Sequence, residues 1–146
     1  MIQMPDINVL LAMSDVAHVH HDICRAWFRQ ASPLGWALCP LTVSGLFRVA
    51  GRPGGSGFSN FQEIADFLEG LIQNNLRTYS FWSDAVSLFD AKLFDLEKLQ
   101  GYRQITDLHL LGIALLNGGT LVTLDTGIPQ TLNAIRRPTP HLLRGH

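Results

Sequence analysis

Three aspartates stand where an α/β chain would gather them. Asp6 ends a short apolar run, Ile2 to Pro5; Asp125 ends the β-branched run TLVTL; Asp107 opens the apolar segment that leads into that second run. In an open parallel sheet, ligands bind beyond the carboxyl ends of the strands, and a helix followed by a reversal returns Asp107 to the same rim. Carboxylates brought together repel, and proton uptake, a cationic side chain or a bound divalent metal relieves the repulsion. Mg²⁺, for which Mn²⁺ can substitute, suits such a set, because it takes a few carboxylates, keeps waters and binds phosphate oxygens. An ion held there activates water and stabilises the departing oxygen in phosphodiester cleavage. Each aspartate also has a purely structural use, Asp6 and Asp107 as helix caps and Asp125 as a turn residue before Gly127. Spacing alone does not choose between the two uses.

The elements that must position these residues read as short apolar runs alternating with segments of helical period, the pattern of an α/β domain with a mainly parallel sheet. After the first strand, INVLLAM predicts a short helix, and apolar positions from Val19 to Ala31 predict another over His18 to Ala31. GWALCP reads as a buried strand, and LTVSGLFRVA as a helix with Thr42 at its N-cap. The glycine-rich GRPGGSGFSN is a loop, after which Ser59 or Asn60 caps an amphipathic helix from Phe61 to Ile72 that Asn74 and Asn75 end. LRTYSFW alternates like a third strand, Ser83 or Asp84 opens a short helix, and a further short helix covers Leu93 to Leu99. Thr106 precedes the apolar helix DLHLLGIALL, stopped by Asn117, Gly118 and Gly119; TLVTL is a strand, Thr126-Gly127 a turn, and HLLR near the end an edge strand.

The 146 residues are expected to form one domain, residues 1–146, with 47% hydrophobic and 16% charged residues excluding a disordered chain. A net charge of −1 gives no broad basic face, yet phosphate binding through a metal ion does not require one. Cys24 and Cys39 form no CxxC pattern and read as buried thiols of a reducing compartment, the cytoplasm. MIQMPDINVLLAMSD lacks a basic leader and is interrupted by Pro5, Asp6 and Asn8, so neither a signal peptide nor a membrane span is expected.

Four stretches carry a resemblance that covers almost the whole chain: PDINVLL, HHDICRAWF, CPLTVSGLFRVAGRP and ITDLHLLGIALLNGGTLVTLD. They resemble the PIN domain family, in particular the VapC toxin ribonucleases of bacterial toxin–antitoxin pairs. PDINVLL is similar to the family's D-x-N-x-L start, which implies a metal-binding Asp6 and a supporting Asn8. The last stretch has the family's T-D-x-x-L before a buried helix and its L-V-T-x-D strand end, implying metal-binding Asp107 and Asp125 and a site-lining Thr123. The resemblance further implies a three-layer α/β/α sandwich, Mg²⁺-dependent cleavage of single-stranded RNA such as a tRNA or rRNA loop, a homodimer and a VapB-type antitoxin partner. In one respect the chain departs from the family, which carries a second acid on the third helix, at a position occupied here by Gly45 or, in one branch, by Val43. Between Asp22 and Glu63 there is no acid at all. Two expectations follow: a nuclease working with three acids, or an impaired PIN domain that only binds RNA or its antitoxin.

Other constellations carry less. His18, His20, His21 and Asp22 lack the third or fourth ligand of a zinc site. GRPGGSG follows a helix rather than a strand and lacks the lysine of a phosphate loop; no serine sits in a G-x-S-x-G elbow. The only lysines, Lys92 and Lys98, fall in a helix-like region, which disfavours a phosphoacceptor receiver domain. Arg48, Arg52 and Arg103 are the candidate phosphate contacts, with Arg48 best placed because it shares the helix that lacks the acid.

Overall fold

A computed structural model describes residues 1–54, 57–135 and 141–142. Five strands form one parallel sheet: β1 (Gln3–Pro5), β2 (Trp36–Leu38), β3 (Tyr79–Phe81), β4 (Thr120–Thr123) and β5 (His141–Leu142), in the order β3-β2-β1-β4-β5. Gln3 pairs with Trp36 on one side and Thr120 on the other, and Val122 pairs with His141. The chain therefore starts in mid-sheet, runs outward through β2 and β3, and returns to the far side of β1 as β4. The reversal lies between β1 and β4, where α/β sheets open a crevice. Asp6 leaves β1 and Asp125 follows β4, so the topology alone brings both to that crevice.

Helices α1 (Ile7–Ser14), α2 (His21–Ala31), α3 (Pro40–Ala50) and α4 (Phe61–Asn74) share one core with alternate strand residues Trp36, Leu38 and Val122. The opposite pleat, with Met4, Ala37 and Leu121, packs against α5 (Ile105–Leu116) and α6 (Ile128–Thr131) through Leu110, Ile113 and Ile128. Because strand side chains alternate between faces, the two cores lie on opposite sides of the sheet. The architecture is the expected α/β/α sandwich. Among the described residues, no helix is long and apolar enough to cross a membrane.

Local chemistry accounts for the helix ends. Asn60 accepts from the Glu63 amide at 2.9 Å, and Glu63 reaches back to the Ser59 amide at 2.6 Å, a reciprocal cap at the start of α4. Helix α5 stops at Asn117 and Gly118, whose φ of +67° is a backbone conformation glycine takes at little cost. Thr42 does not act as the N-cap of α3. Cys39 holds that place, and Thr42 works from within the first turn, its hydroxyl accepting from the Cys39 amide at 3.1 Å.

Between Phe81 and Ile105 the structure departs from expectation. No helix forms at Ser83 or Asp84, since the Asp84 carboxylate faces His109 at 2.8 Å and the Val86 amide at 3.5 Å instead of capping a turn. In place of a helix over Leu93 to Leu99 there is one 3₁₀ turn, Leu96–Lys98. The local bonds here close only isolated turns, at Asp90 and Asp95, while Phe94 bridges to Ile135 and the Asp95 amide donates to the remote Ala134 carbonyl at 2.8 Å, so the turns do not extend into a helix. Strand β3 is shorter than LRTYSFW because Leu76–Thr78 turn as 3₁₀. Of the expected edge strand HLLR, His141 and Leu142 pair with β4 as β5, and Leu143 and Arg144 lie outside the described residues.

Candidate metal centre

The site is built outward from Thr123, the last residue of β4, which is fully buried. Its hydroxyl donates to Asp6 Oδ2 at 2.8 Å and accepts from the Asn8 side-chain amide at 3.3 Å and the Asp125 backbone amide at 3.0 Å. A hydroxyl has one proton and two lone pairs, so all its capacity is used and its proton is aimed at Asp6. Asn8 completes the link by accepting from the Leu124 amide at 3.2 Å. One hydroxyl thereby ties the end of β1, the first turn of α1 and the exit of β4 together.

Asp6, only 6% exposed, is also the N-cap of α1, its Oδ1 accepting from the Ile7 amide at 2.7 Å. Burial raises its pKa, the charge of Asp125 adds to the rise, and the Thr123 and Ile7 hydrogen bonds oppose it. Asp125 likewise has a structural bond, from the Gly127 amide at 2.7 Å. Asp107 does not cap a helix: α5 begins two residues before it, and no side chain caps that end. Its carboxyl is pushed up to about 7, first by burial, then by the charges of Asp6 and Asp125 and by a hydrogen bond with Asp125. The three aspartates expected from the sequence are therefore electrostatically one group.

Does this set fit a metal? The donors are all carboxylate oxygens, the choice of a hard divalent ion such as Mg²⁺. Among the described residues the ion pairs are Lys98 with Asp95 and His109 with Asp84, so no cationic side chain neutralises the three acids. Among the described residues no three His, Cys, Asp or Glu side chains stand so as to hold one ion together, so an ion here would rest on one or two of these carboxylates. An open cluster suits Mg²⁺, which usually binds through one or two carboxylates and completes its octahedron with water and phosphate oxygens.

The position of the absent acid has a structural explanation. Gly45 is buried against the start of α1: a Cβ built on it would overlap Ile7 Cδ1 and come within 2.9 Å of Ile7 Cγ1. The side chain following Asp6 thus fills the space a Glu at Gly45 would need. Val43 is half-buried and packs against the α1–α4 core. Arg48 is exposed, with its Nη2 3.8 Å from the same Cβ position as Gly45 would carry, and it does not line the groove beside Asp107 and Asp125.

A groove of about 360 Å³ adjoins the acids, lined by Asp107, Asp125 and Thr131 together with Gln100, Tyr102 and Arg103. Arg103 therefore borders the acids, whereas Arg52 lines a separate depression between α3 and α4. Tyr102 was not legible as a site residue, because it falls in a single 3₁₀ turn, Tyr102–Gln104, that leaves no periodic signal. The histidine tract is structural: His21 donates to the Ala12 carbonyl at 2.8 Å, and His18 Nδ1 accepts from the His20 amide at 3.0 Å. Cys24 and Cys39 are buried free thiols, and burial pushes Cys24 up to about 11, which keeps it unreactive.

No protein-family model matches the chain. Individual proteins do. The chain is 36% identical to Ribonuclease VapC44 of Mycobacterium tuberculosis over 127 residues, covering 86% of this chain and 87% of that protein. It is 40% identical to Ribonuclease VapC38 of the same organism over 136 residues, 92% of each chain. Its fold is similar to a chain in the crystal structure of VapBC2 from Rickettsia felis bound to a DNA fragment from their promoter, with a TM-score of 0.61, 16% identity and 97% of each chain covered.

Proposed function

The chain belongs to the VapC family of PIN-domain toxins, and on that premise we propose that it is a metal-dependent endoribonuclease that cleaves single-stranded RNA at Asp6, Asp107 and Asp125. The observation that carries the reading is the coupling of these three acids at the β1/β4 reversal, with Asp107 held up to about 7 and given no capping role. Bound there, Mg²⁺ or Mn²⁺ supplies Lewis-acid stabilisation of charge on the phosphate and a more acidic water. The chain's own residues do the rest. Thr123 and Asn8 fix the direction of Asp6, and the Gly127 amide holds Asp125. Arg103 borders the acids as a fork for a flanking phosphate, and the exposed Arg48 is a further phosphate contact. Water is the nucleophile, and no side chain forms a covalent intermediate.

The biological setting we infer is the family's: a cytoplasmic homodimer acting on a tRNA or rRNA loop, held in check by a VapB-type antitoxin. The VapBC2 complex similar in fold supports the partner. Incubating the chain with RNA is expected to give cleavage in Mn²⁺ and none in EDTA. Equal cutting in both would remove the metal from the account, and no cutting in either would remove the nuclease.

The packing of Ile7 on Gly45 favours a second reading, a PIN domain weakened by the missing acid. Gly45→Glu alone requires the Ile7 side chain to move, so the informative variant is Ile7→Ala/Gly45→Glu. If the unaltered chain is impaired, the double variant raises metal-dependent cleavage by about 10-fold or more, the lower end of what groups around a metal contribute. An unchanged rate shows that three acids suffice.

A further inference from the structure

The groove beside the acids holds an arrangement that metal chemistry does not use. Tyr102 is 79% exposed, an unusual position for a large aromatic ring next to a cluster of carboxylates. The Arg103 guanidinium lies 5.8 Å from the ring centroid, with Nε 3.4 Å from the Tyr102 hydroxyl, so the cation braces the ring. The turn beneath is pinned as well, since Gln104 Oε1 accepts from the Gln100 amide at 2.7 Å and the Gly101 amide at 3.4 Å. Ile105 caps that turn and begins α5, so the ring and Asp107 ride on one continuous helical segment.

We propose that Tyr102 and Arg103 form a nucleotide subsite, in which the Tyr102 ring stacks on a base next to the scissile phosphate and Arg103 meets a neighbouring phosphate. The inference rests on the ribonuclease reading and adds to it the means of holding the strand. An exposed, rigidly mounted aromatic with an arginine beside it is the combination by which proteins hold single-stranded nucleic acid without reading its edges. The acidic crevice repels RNA phosphates on its own, so a cationic and aromatic shelf at its lip supplies the attraction that a chain of net charge −1 otherwise lacks.

The test uses the full chain carrying Asp107→Asn, so that RNA binds without being cut, and a short mixed-sequence single-stranded RNA containing a fluorescent purine analogue. Tyr102→Leu is expected to weaken binding by about 5- to 150-fold, the size of one base–aromatic stack, and to abolish the quenching that stacking causes. Tyr102→Phe and Tyr102→Trp keep both. Arg103→Gln lowers the salt dependence of binding by about one phosphate contact. If Tyr102→Leu binds and quenches like its parent while the unaltered chain still cuts RNA in Mn²⁺, the subsite is wrong and the nuclease stands. If the parent neither binds the probe nor, with Asp107 restored, cuts RNA, both are wrong.

Discussion

Replacing Asp107 by Asn is expected to lower kcat/KM for RNA cleavage by more than about 100-fold, since even groups one bond removed from a metal contribute about 10–100-fold. The same variant is expected to be more thermally stable than the unaltered chain above about pH 7 in EDTA. Burial and the charges of Asp6 and Asp125 raise Asp107 from 3.8 to about 7, so the folded protein binds that proton more tightly than the unfolded chain does. The resulting stabilisation is fully present below the ordinary carboxylate range and is lost as pH rises through about 7. Asn is neutral at every pH and removes the repulsion permanently. Added Mg²⁺ should raise the melting temperature of the unaltered chain by more than that of Asp107→Asn, and its apparent affinity should fall as the pH drops below about 7, where protons compete for Asp107. Melting curves across pH, with EDTA or Mg²⁺, check all three statements. Were Asp107 there only to stabilise the first turn of α5 by its charge, Asn would lower stability above about pH 7, the opposite sign.

Thr123→Val is expected to damage activity and stability together. Valine keeps the shape and removes a hydroxyl engaged in three hydrogen bonds. Buried Asp6 loses a donor at Oδ2, a change that costs about 1–3 kcal/mol when a buried group is left unpaired. Cleavage should fall by about 10–100-fold, because the direction of Asp6 and the exit of β4 are no longer tied. Thr123→Ser restores the hydroxyl and should recover most of the rate. Urea unfolding together with cleavage rates separates the two contributions, and full activity in Thr123→Val would dismiss the network as an orienting device.

How much of this was legible in the sequence follows from the range of each interaction. The β-branched TLVT and the apolar helix before it are local patterns, and their ends at Asp125 and near Asp107 could be read directly. The placement of Asp6 beside Asp125 needed the strand order, which depends on Gln3 pairing with both Trp36 and Thr120; the parallel α/β pattern implied such a rim without fixing which strands met there. Spacing left Asp107 as either a cap or a ligand, and the geometry of α5 disposes of the cap. The filling of the absent acid's space by Ile7 is a contact between α1 and α3 with no trace in either segment. The helices expected at Ser83 or Asp84 and over Leu93 to Leu99 do not form, because the Asp84 carboxylate turns to His109 and the local backbone bonds close only isolated turns tied to Ala134 and Ile135. Tyr102 was hidden in the single 3₁₀ turn that follows.

Asp6, Asp107 and Asp125 are proposed to hold one divalent-metal centre. Crystals of the chain grown with Mn²⁺, with the ion located by its anomalous scattering, test it most directly. Mn²⁺ density is expected within coordination distance, about 2.0–2.2 Å, of oxygens from at least two of these three carboxylates, the rest of its shell being water. Mn²⁺ bound elsewhere, or none bound at the β1/β4 crevice, would contradict it.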